Sequence, residues 1–249
     1  MLLRIEDVDL GRARPALEAS IRADLSWLGL DWDEEVRPQR GRTYEPWLEL
    51  LREQTYACTC TRAVLARTGG RYVGTCRDAG HPEGAIRLRL AEAPVHVVDR
   101  RWGRRVVDPA TFGDPVLRRR DGVFTYPLAV VADDLADGVT EVVRGADLLE
   151  YTGVQIRLWQ AFGATPPTYL HTPVLLGLDG RKLSKSHKST EVASLRAAGV
   201  APEVIWSRLL PVLGIEGIDT LAAAVGSFRP MAGVLGPVTV GADDLPPTP

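Results

Sequence analysis

The sequence predicts an α/β fold in which a parallel sheet is interrupted by a smaller, β-rich segment. A short apolar strand, 2–5, precedes a helix that opens at Pro15 and carries apolar residues three or four apart. Further along, the β-branched run 139–143 is followed by a helical stretch and then by a strand at 169–176. Strands that alternate with helices are typical of a parallel sheet covered by helices.

Composition and charge are those of an ordinary globular protein. Of the 249 residues, 45% are apolar and 25% are charged, and the net charge is −2. A nucleic-acid partner would therefore have to meet a local basic patch. No run of about 18 apolar residues is present, and the first residues soon turn acidic, so we expect no membrane span and no signal peptide. A monomer in the cytoplasm is expected.

The first segment, 1–55, contains two predicted helices. The helix from Pro15 to Gly29 has one apolar face, and a second helix at 45–54 is expected to turn its apolar side inward. The apolar face of the first helix consists of Leu17, Ile21, Leu25 and Leu28, and the inner side of the second carries Trp47, Leu48 and Leu51.

The second segment, 56–125, is rich in Cys, Gly and Arg and reads as a small β-rich insertion. Apolar residues alternate with arginines at 86–90, which predicts a half-buried strand. Hairpin turns are expected at Trp102-Gly103 and Asp121-Gly122.

The α/β pattern returns in the third segment, 126–190, with a helix at 127–135, a strand at 139–143, a helix at 147–162 and a strand at 169–176. The fourth segment, 191–249, is predicted to be helical, with a frayed, proline-rich end. Its helices are expected at 192–198, 202–213 and 220–225.

Three cysteines lie within nineteen residues of one another, an odd number that argues against a disulfide framework. Cys58 and Cys60 point to the same side of an extended segment, and the Gly69-Gly70 turn can bring Cys76 back to them. Zinc favours such thiolates and takes four ligands. The fourth would be a histidine, a carboxylate, a water or a phenolate, with Tyr72 and His81 nearby. The alternative is three ordinary buried thiols.

Charged residues follow two of the predicted strands. Glu6, Asp7 and Asp9 come directly after the first strand, and Arg144 follows the run 139–143. Ligands of open α/β sheets sit at strand ends. A carboxylate there can receive an ammonium group, and an arginine can grip a carboxylate with two hydrogen bonds. The simpler alternative is a set of solvated surface charges.

A loop with two lysines three residues apart follows the strand 169–176. Gly177 and Gly180 precede Lys182 and Lys185, and serines fill the gaps. Such a loop can place two ammonium groups against a polyphosphate, although it lacks the Walker pattern. A solvated basic loop is the alternative.

These residues together resemble a known family. Lys182-Leu183-Ser184-Lys185-Ser186 resembles the KMSKS signature of class I aminoacyl-tRNA synthetases. The stretches 4–9, 126–134 and 142–145 resemble the glutamate-specific branch, and the pattern Cys58-x-Cys60-x11-Tyr72-x3-Cys76 is similar to the zinc site of glutamyl-queuosine tRNA(Asp) synthetases. The resemblance implies a Rossmann-like parallel sheet with a zinc-binding β-rich insertion and a C-terminal helical segment.

The resemblance also implies roles for individual residues. Glu6 would hold the α-ammonium of glutamate, Tyr126 and Arg144 would bind glutamate, and Lys182 and Lys185 would act in catalysis, with Lys185 on the ATP phosphates. One zinc ion would be bound by the three cysteines and Tyr72. ATP would be a substrate with Mg²⁺, and glutamate would be transferred to queuosine in the anticodon loop of tRNA(Asp).

Members of the family carry an R-F-A-P-S-like strand and a His-Ile-Gly-His-like signature before the segment at which this chain opens. We therefore expect the protein to begin upstream of Met1, in which case its native mass would exceed 27.1 kDa. A genuine truncation, expected to be inactive, is the alternative.

Two other functions compete with the ligase. One is a fragment of a glutamyl-tRNA synthetase, and the other is a non-catalytic RNA-binding relic. Arginines near the hairpins are candidate RNA phosphate contacts, although solvated strand faces are the simpler reading. They are Arg100, Arg101, Arg104, Arg105, Arg118, Arg119 and Arg120.

Overall fold

The computed structural model describes residues 1–11, 13–91, 93–182, 191–228 and 237–239. Its chain is α/β, as predicted, with the parallel strand pairs in the outer segments and the antiparallel ones in the middle. Among the described residues, no helix is long and apolar enough to cross a membrane.

The first segment forms a β-α-β unit. Strand β1 (Leu2–Leu3) pairs in parallel with β2 (Glu34–Glu35), and helix α1 (Pro15–Trp27) connects them. Helix α2 (Glu45–Leu50) follows and is extended by a short 3₁₀ turn. The apolar face predicted for α1 is only partly covered, because Leu17 and Ile21 are about half exposed. They line an open cavity beside the end of β1 instead of packing under another element.

The predicted β-rich segment contributes to two different sheets. Strands β3 (Thr55–Cys58), β4 (Ala85–Leu88) and β7 (Val116–Arg118) form an antiparallel sheet in the order β3-β4-β7, and the short helix α3 (Arg62–Ala66) follows β3. Strands β5 (Val95–Asp99) and β6 (Gly103–Val107) form the hairpin predicted at Trp102-Gly103.

The β5–β6 hairpin belongs to the main sheet. Strand β5 pairs in parallel with β9 (Thr168–Thr172), which pairs in parallel with β8 (Glu141–Gly145), so that the order is β6-β5-β9-β8. Sequence spacing assigned the hairpin to the insertion because hairpins are local, whereas the β5–β9 pairing spans some seventy residues. The boundaries 56 and 125 stay a prediction.

Two helices lie under the sheets and carry the largest apolar core. Helix α4 (Tyr126–Ala136) begins with Pro127 in its first turn and packs against α5 (Thr152–Ala161). Their buried side chains meet Leu51 and Leu117, which come from the first two segments. The core of the molecule therefore joins three of the four predicted segments.

The C-terminal part is helical, as predicted. Helices α6 (Val192–Ala197), α7 (Pro202–Leu209) and α8 (Leu221–Ser227) follow one another, and a short parallel pair joins β10 (Leu175–Leu176) to β11 (Val238–Thr239). Helix α6 packs against α1, where Arg196 donates to Asp24 at 3.0 Å. The predicted frayed end, 243–249, lies outside the described residues.

A buried ion cluster joins the end of β1 to helix α4. The guanidinium of Arg4 is almost fully buried and contacts Asp134 at 2.5 Å and Asp137 at 3.0 Å. Arg42 donates to Asp137 at 2.8 Å, and Asp133 accepts from the Tyr44 hydroxyl at 2.9 Å. Removing one member of a buried charge set leaves the others unpaired, which costs far more than losing a surface pair.

Arg4→Met tests this cluster. The side chain keeps most of its length, but four carboxylates, those of Glu6, Asp133, Asp134 and Asp137, lose a buried cation. Unfolding in urea should therefore show a loss of about 3 kcal/mol. Arg22→Met is the matched control, because Arg22 pairs with Glu18 and Glu35 at the protein surface and should change stability little. Equal losses in the two variants would contradict this role of the cluster.

The loss should also depend on pH. Burial raises the pKa of Asp133 and of Asp134, although Arg4 lowers both. Without Arg4 these pKa values rise further, so the folded variant takes up protons at a higher pH than the unfolded chain does. The deficit of Arg4→Met should therefore shrink as the pH falls from 8 to 5. A deficit that stays constant over that range would show that lost packing, and not unpaired charge, is its cause.

Candidate functional site

The structure brings the strand-end residues Glu6, Tyr126 and Arg144 into one region. Glu6 and Tyr126 line a cavity of about 550 Å³ at the end of β1. Burial raises the pKa of Tyr126, the charge of Arg144 lowers it, and the charge of Glu6 raises it, so the phenol lies within electrostatic range of both residues. The cavity therefore offers a carboxylate and a phenol, and the guanidinium of Arg144 lies within electrostatic range of the phenol.

The three carboxylates after β1 have different surroundings. Asp7 is buried and accepts from the backbone N–H of Arg40 at 2.9 Å, and Asp9 forms an ion pair with Arg119 at 2.9 Å. Glu6 has a longer contact with Arg4, 3.4 Å, and its side chain keeps 41% of its accessible surface. Glu6 is thus the carboxylate of this turn that is best placed to meet a cationic ligand.

The surroundings of Glu6 disfavour its ionised form. Burial raises its pKa, the charge of Arg4 lowers it, and the charge of Asp134 raises it, with a net increase. A bound ammonium group would favour the carboxylate form and lower that pKa again. The site is therefore electrostatically suited to a cation.

Arg144 lies at the end of β8 and is held by neighbours on two elements. Its Nε donates to Nε2 of His171 on β9 at 3.1 Å, and its Nη2 donates to Oγ1 of Thr152 on α5 at 2.7 Å. Among the described residues, these two are the side-chain hydrogen bonds that the guanidinium donates. An arginine held in this way is oriented before a ligand arrives, which reduces the entropy lost on binding.

Lys182 lies next to this region. Its ammonium group forms an ion pair with Asp147, three residues after Arg144. The turn before it is closed by a hydrogen bond from the backbone N–H of Gly177 to the carbonyl of Arg181, 2.8 Å, and uses Gly180 at φ +72°. The other predicted lysine, Lys185, lies outside the described residues.

The three cysteines converge as the spacing predicted. The sulfur atoms of Cys58, Cys60 and Cys76 lie within 4.8 Å of one another, and those of Cys60 and Cys76 are 3.6 Å apart. Burial raises the pKa of Cys76, but the backbone N–H of Thr59 and the neighbouring thiols outweigh it and lower the pKa to about 6. A thiolate is thus accessible near neutral pH, which is the form that binds a metal.

Tyr72 lies beside the thiols. Its ring packs with Cys58 and Cys76 in one buried cluster, and its hydroxyl oxygen accepts from the backbone N–H of Cys76 at 2.7 Å. Burial raises the pKa of Tyr72, so a phenolate would need nearby positive charge. The guanidinium of Arg87 lies 3.9 Å above the ring and supplies part of it.

His81 lies less centrally than the thiols. Its Nε2 is 3.3 Å from Oγ1 of Thr59. Among the described His, Cys, Asp and Glu side chains, the group of mutually close ligand atoms consists of the three thiols and does not include this ring. The three thiols fit zinc, which favours thiolate ligands. Tyr72 and His81 both lie beside Cys76, so both stay candidates for the fourth ligand.

Sequence reasoning missed Asp99, Thr152 and His171, which surround Arg144. All three are buried. Asp99 is the last residue of β5, and nothing in the sequence identifies the partner of a polar residue inside a sheet. The contacts depend on the pairing of β5, β9 and β8.

A family model and several known proteins are similar to this chain. The family model for tRNA synthetases class I (E and Q), catalytic domain, matches residues 1–220. The glutamyl-Q tRNA(Asp) synthetase of Nitratidesulfovibrio vulgaris is 41% identical over 93% of this chain and 79% of its own length. The enzyme of the same name from Symbiobacterium thermophilum is 38% identical over 86% of this chain and 76% of its own length.

The fold is also similar to that of a solved glutamate tRNA ligase. The enzyme from Elizabethkingia meningosepticum, in complex with its amino acid, superposes with a TM-score of 0.77 at 23% identity and covers 98% of this chain. This chain spans 61% of the length of that ligase. At this identity the likeness concerns the fold alone.

Metal content tests the zinc ligands. Cys58→Ser should lose stoichiometric zinc on dialysis against a weak chelator, because one of three thiolates is gone, and Tyr72→Phe should lose zinc at lower chelator concentrations than the parent protein. His81→Ala is the control and should retain its zinc. Stoichiometric zinc in both Cys58→Ser and Tyr72→Phe would remove the proposed ligand set, and loss in His81→Ala alone would assign the fourth position to that ring.

Proposed function

The chain belongs to the family of class I tRNA synthetases (E and Q), in the group of glutamyl-Q tRNA(Asp) synthetases, and from this membership we propose that it activates glutamate with ATP and transfers it to queuosine of tRNA(Asp). The family assignment confirms the resemblance predicted from the sequence. It also confirms an aminoacyl-tRNA synthetase-type ligase.

The observation that carries the proposal is the combination of Glu6, Tyr126 and Arg144. Glutamate presents one ammonium and two carboxylates, and the site offers a carboxylate, a hydroxyl and a guanidinium within electrostatic range. We assign Glu6 to the α-ammonium and Arg144 to a carboxylate, which its free N–H groups can bind with two hydrogen bonds. Tyr126 would contribute its hydroxyl, which accepts from Gln155 at 3.4 Å.

In the proposed first step, a carboxylate oxygen of glutamate attacks the α-phosphorus of ATP. The bond to the bridging oxygen breaks, and pyrophosphate leaves with the electron pair. The protein contributes position and positive charge to this step. Lys182, beside Arg144, and Lys185, in the same loop, are assigned to the phosphates, with Mg²⁺ accompanying ATP.

In the proposed second step, a hydroxyl of the queuosine cyclopentene ring attacks the acyl carbon of the activated glutamate. The hydroxyl proton is lost, an ester bond forms and AMP leaves. The product carries glutamate on the anticodon base and not on the 3′ end of the tRNA. The names of the relatives support this acceptor.

The zinc ion is assigned a structural role. Cys58, Cys60, Cys76 and Tyr72 would hold one ion per chain and fill a tetrahedral shell with no position left for substrate. Bound zinc would fix the fold of the loop between β3 and β4. We also retain the four segments 1–55, 56–125, 126–190 and 191–249 as the proposed domain organisation.

Some of the candidate arginines are already paired or buried, which leaves fewer of them to contact the tRNA phosphates. Arg100 pairs with Glu141, Arg101 is buried and Arg119 pairs with Asp9. Arg104 and Arg105 are exposed on β6, and the described part of the chain gives them no ion pair. We assign phosphate contact to these two in a monomer bound to one tRNA.

Glutamate-dependent exchange between ATP and pyrophosphate tests the first step. Arg144→Lys should raise the KM for glutamate by roughly tenfold to a hundredfold and leave the KM for ATP unchanged, because lysine cannot form the two parallel hydrogen bonds. Arg208→Lys, on the exposed side of α7, is the matched control. No exchange by the unsubstituted protein would overturn the proposed activation.

The acceptor is tested by offering three RNAs in parallel. Labelled glutamate should appear on tRNA(Asp) that contains queuosine and on neither tRNA(Asp) without queuosine nor tRNA(Glu). Charging of tRNA(Glu) would instead identify glutamyl-tRNA synthetase chemistry. Binding of tRNA without any exchange would identify a non-catalytic RNA-binding protein.

A further inference from the structure

Arg144 is in hydrogen-bond contact with a buried histidine, His171. Arginine has five N–H donors and no acceptor. One of them, on Nε, is directed to Nε2 of His171 at 3.1 Å, and one on Nη2 is directed to Thr152 at 2.7 Å. Three donors remain, and they include the pair across Nη1 and Nη2 that matches the two oxygens of a carboxylate.

Asp99 determines which nitrogen of the ring carries the proton. Its Oδ1 accepts from the backbone N–H groups of Arg101 and Trp102, at 2.9 and 2.8 Å. Its Oδ2 accepts from the backbone N–H of His171 at 3.0 Å and lies 2.7 Å from Nδ1 of the same residue. Because an ionised carboxylate can only accept, Nδ1 must donate. In a neutral ring Nε2 is then an acceptor, as the Nε–H of Arg144 requires.

The hydroxyl of Thr152 is constrained in the same way. Its oxygen accepts from Nη2 of Arg144 at 2.7 Å, and its single proton has two acceptors within reach, the carbonyl of Leu148 at 3.0 Å and Nε2 of His171 at 3.2 Å. Either choice leaves a lone pair for Arg144 and agrees with an unprotonated Nε2. The histidine ring is fully buried and stacks on Tyr169, with ring centroids 5.8 Å apart and an interplanar angle of 16°. Burial lowers the pKa of His171 more than Asp99 raises it, which favours the neutral ring.

We propose that His171, held by Asp99 as the neutral tautomer with its proton on Nδ1, is a positioning residue that orients Arg144 to receive a substrate carboxylate. The histidine does not touch substrate. It accepts one guanidinium donor and thereby leaves the fork of Nη1 and Nη2 free. The assignment of the ligand rests on the proposed function, whereas the tautomer and the hydrogen bond belong to the unliganded protein.

Asp99 and Thr152 contribute to the orientation of Arg144 in different ways. Asp99 sets the tautomer through the strand pairing of β5 and β9, and Thr152 on α5 fixes the second edge of the guanidinium. Loss of the acceptor on His171 would let the guanidinium turn about its long side chain, and the binding of a carboxylate would then have to restore that order.

The test compares two amide substitutions at position 171. His171→Asn can keep a donor toward Asp99 but has no group that reaches Arg144, whereas His171→Gln can place an amide oxygen near the position of Nε2. His96→Asn, an exposed histidine on β5, is the control. Glutamate and ATP dissociation constants would be measured by calorimetry, and thermal unfolding would check the fold.

We expect His171→Asn to weaken glutamate binding roughly tenfold, because a hydrogen bond to a charged group is lost. ATP binding should be unchanged, and His171→Gln should recover most of the loss. Unchanged glutamate affinity in a folded His171→Asn, or equal losses for glutamate and ATP, would overturn the positioning role.

Nitrogen-15 NMR of the unsubstituted protein separates this proposal from the proposed function. The ring of His171 should show a protonated Nδ1 and an unprotonated Nε2 without any ligand. A proton on Nε2 would overturn the proposal even if both variants fail to fold. Absence of glutamate binding by the unsubstituted protein, together with the expected tautomer, would count against glutamate as the substrate and leave the orientation of Arg144 in place.

Discussion

The buried charge cluster around Arg4 is the constraint on which the site depends. Strand β1 is two residues long and pairs with one short neighbour, so its backbone hydrogen bonds contribute little to fixing its position. The ion pairs from Arg4 to Asp134 of α4 and to Asp137, which caps the C-terminal end of that helix, supply that restraint. Glu6 follows Arg4 by two residues, and Tyr126 begins the same helix α4. The cluster that holds the strand therefore also sets the separation between the carboxylate and the phenol of the site.

A second polar cluster, formed by Asp114 and Arg77, restrains the loop that carries Cys76. Asp114 is fully buried and accepts from Arg77 through both oxygens at 2.6 Å, and its Oδ1 also accepts from the backbone N–H of Leu90 at 2.9 Å. Arg77 directly follows Cys76. Gly113, at φ +68°, lets the chain pass the backbone of Tyr72, where a Cβ would lie 2.2 Å from the carbonyl oxygen. The loop that carries two ligand candidates is thus anchored before any metal binds.

The sequence allowed prediction of what is local and of what a motif encodes. The helix at Tyr126–Ala136 and the convergence of the three thiols followed from spacing and from turn residues. The sequence did not allow prediction of the parallel pairing of β5 with β9, because no residue pattern in either strand identifies its distant partner. For the same reason Asp99 and His171 were missed, since their polar character is explained only once those strands are neighbours. The exposure of Leu17 was missed because periodicity shows that a face is apolar and not that something covers it.

The turn after β8 brings the two halves of the proposed reaction together. Arg144 ends the strand, and Asp147, three residues later, pairs with Lys182. The charge of Arg144 also lowers the pKa of Asp147, although the contact with Lys182 is the larger cause. One carboxylate thus lies between the cation assigned to glutamate and a cation assigned to the phosphates. In the unliganded protein the positive charges of Arg144 and Lys182 would repel each other. The negative charge of Asp147 offsets that repulsion. In the proposed reaction an arriving polyphosphate would compete with Asp147 for Lys182, and the ion pair between these two residues would have to open.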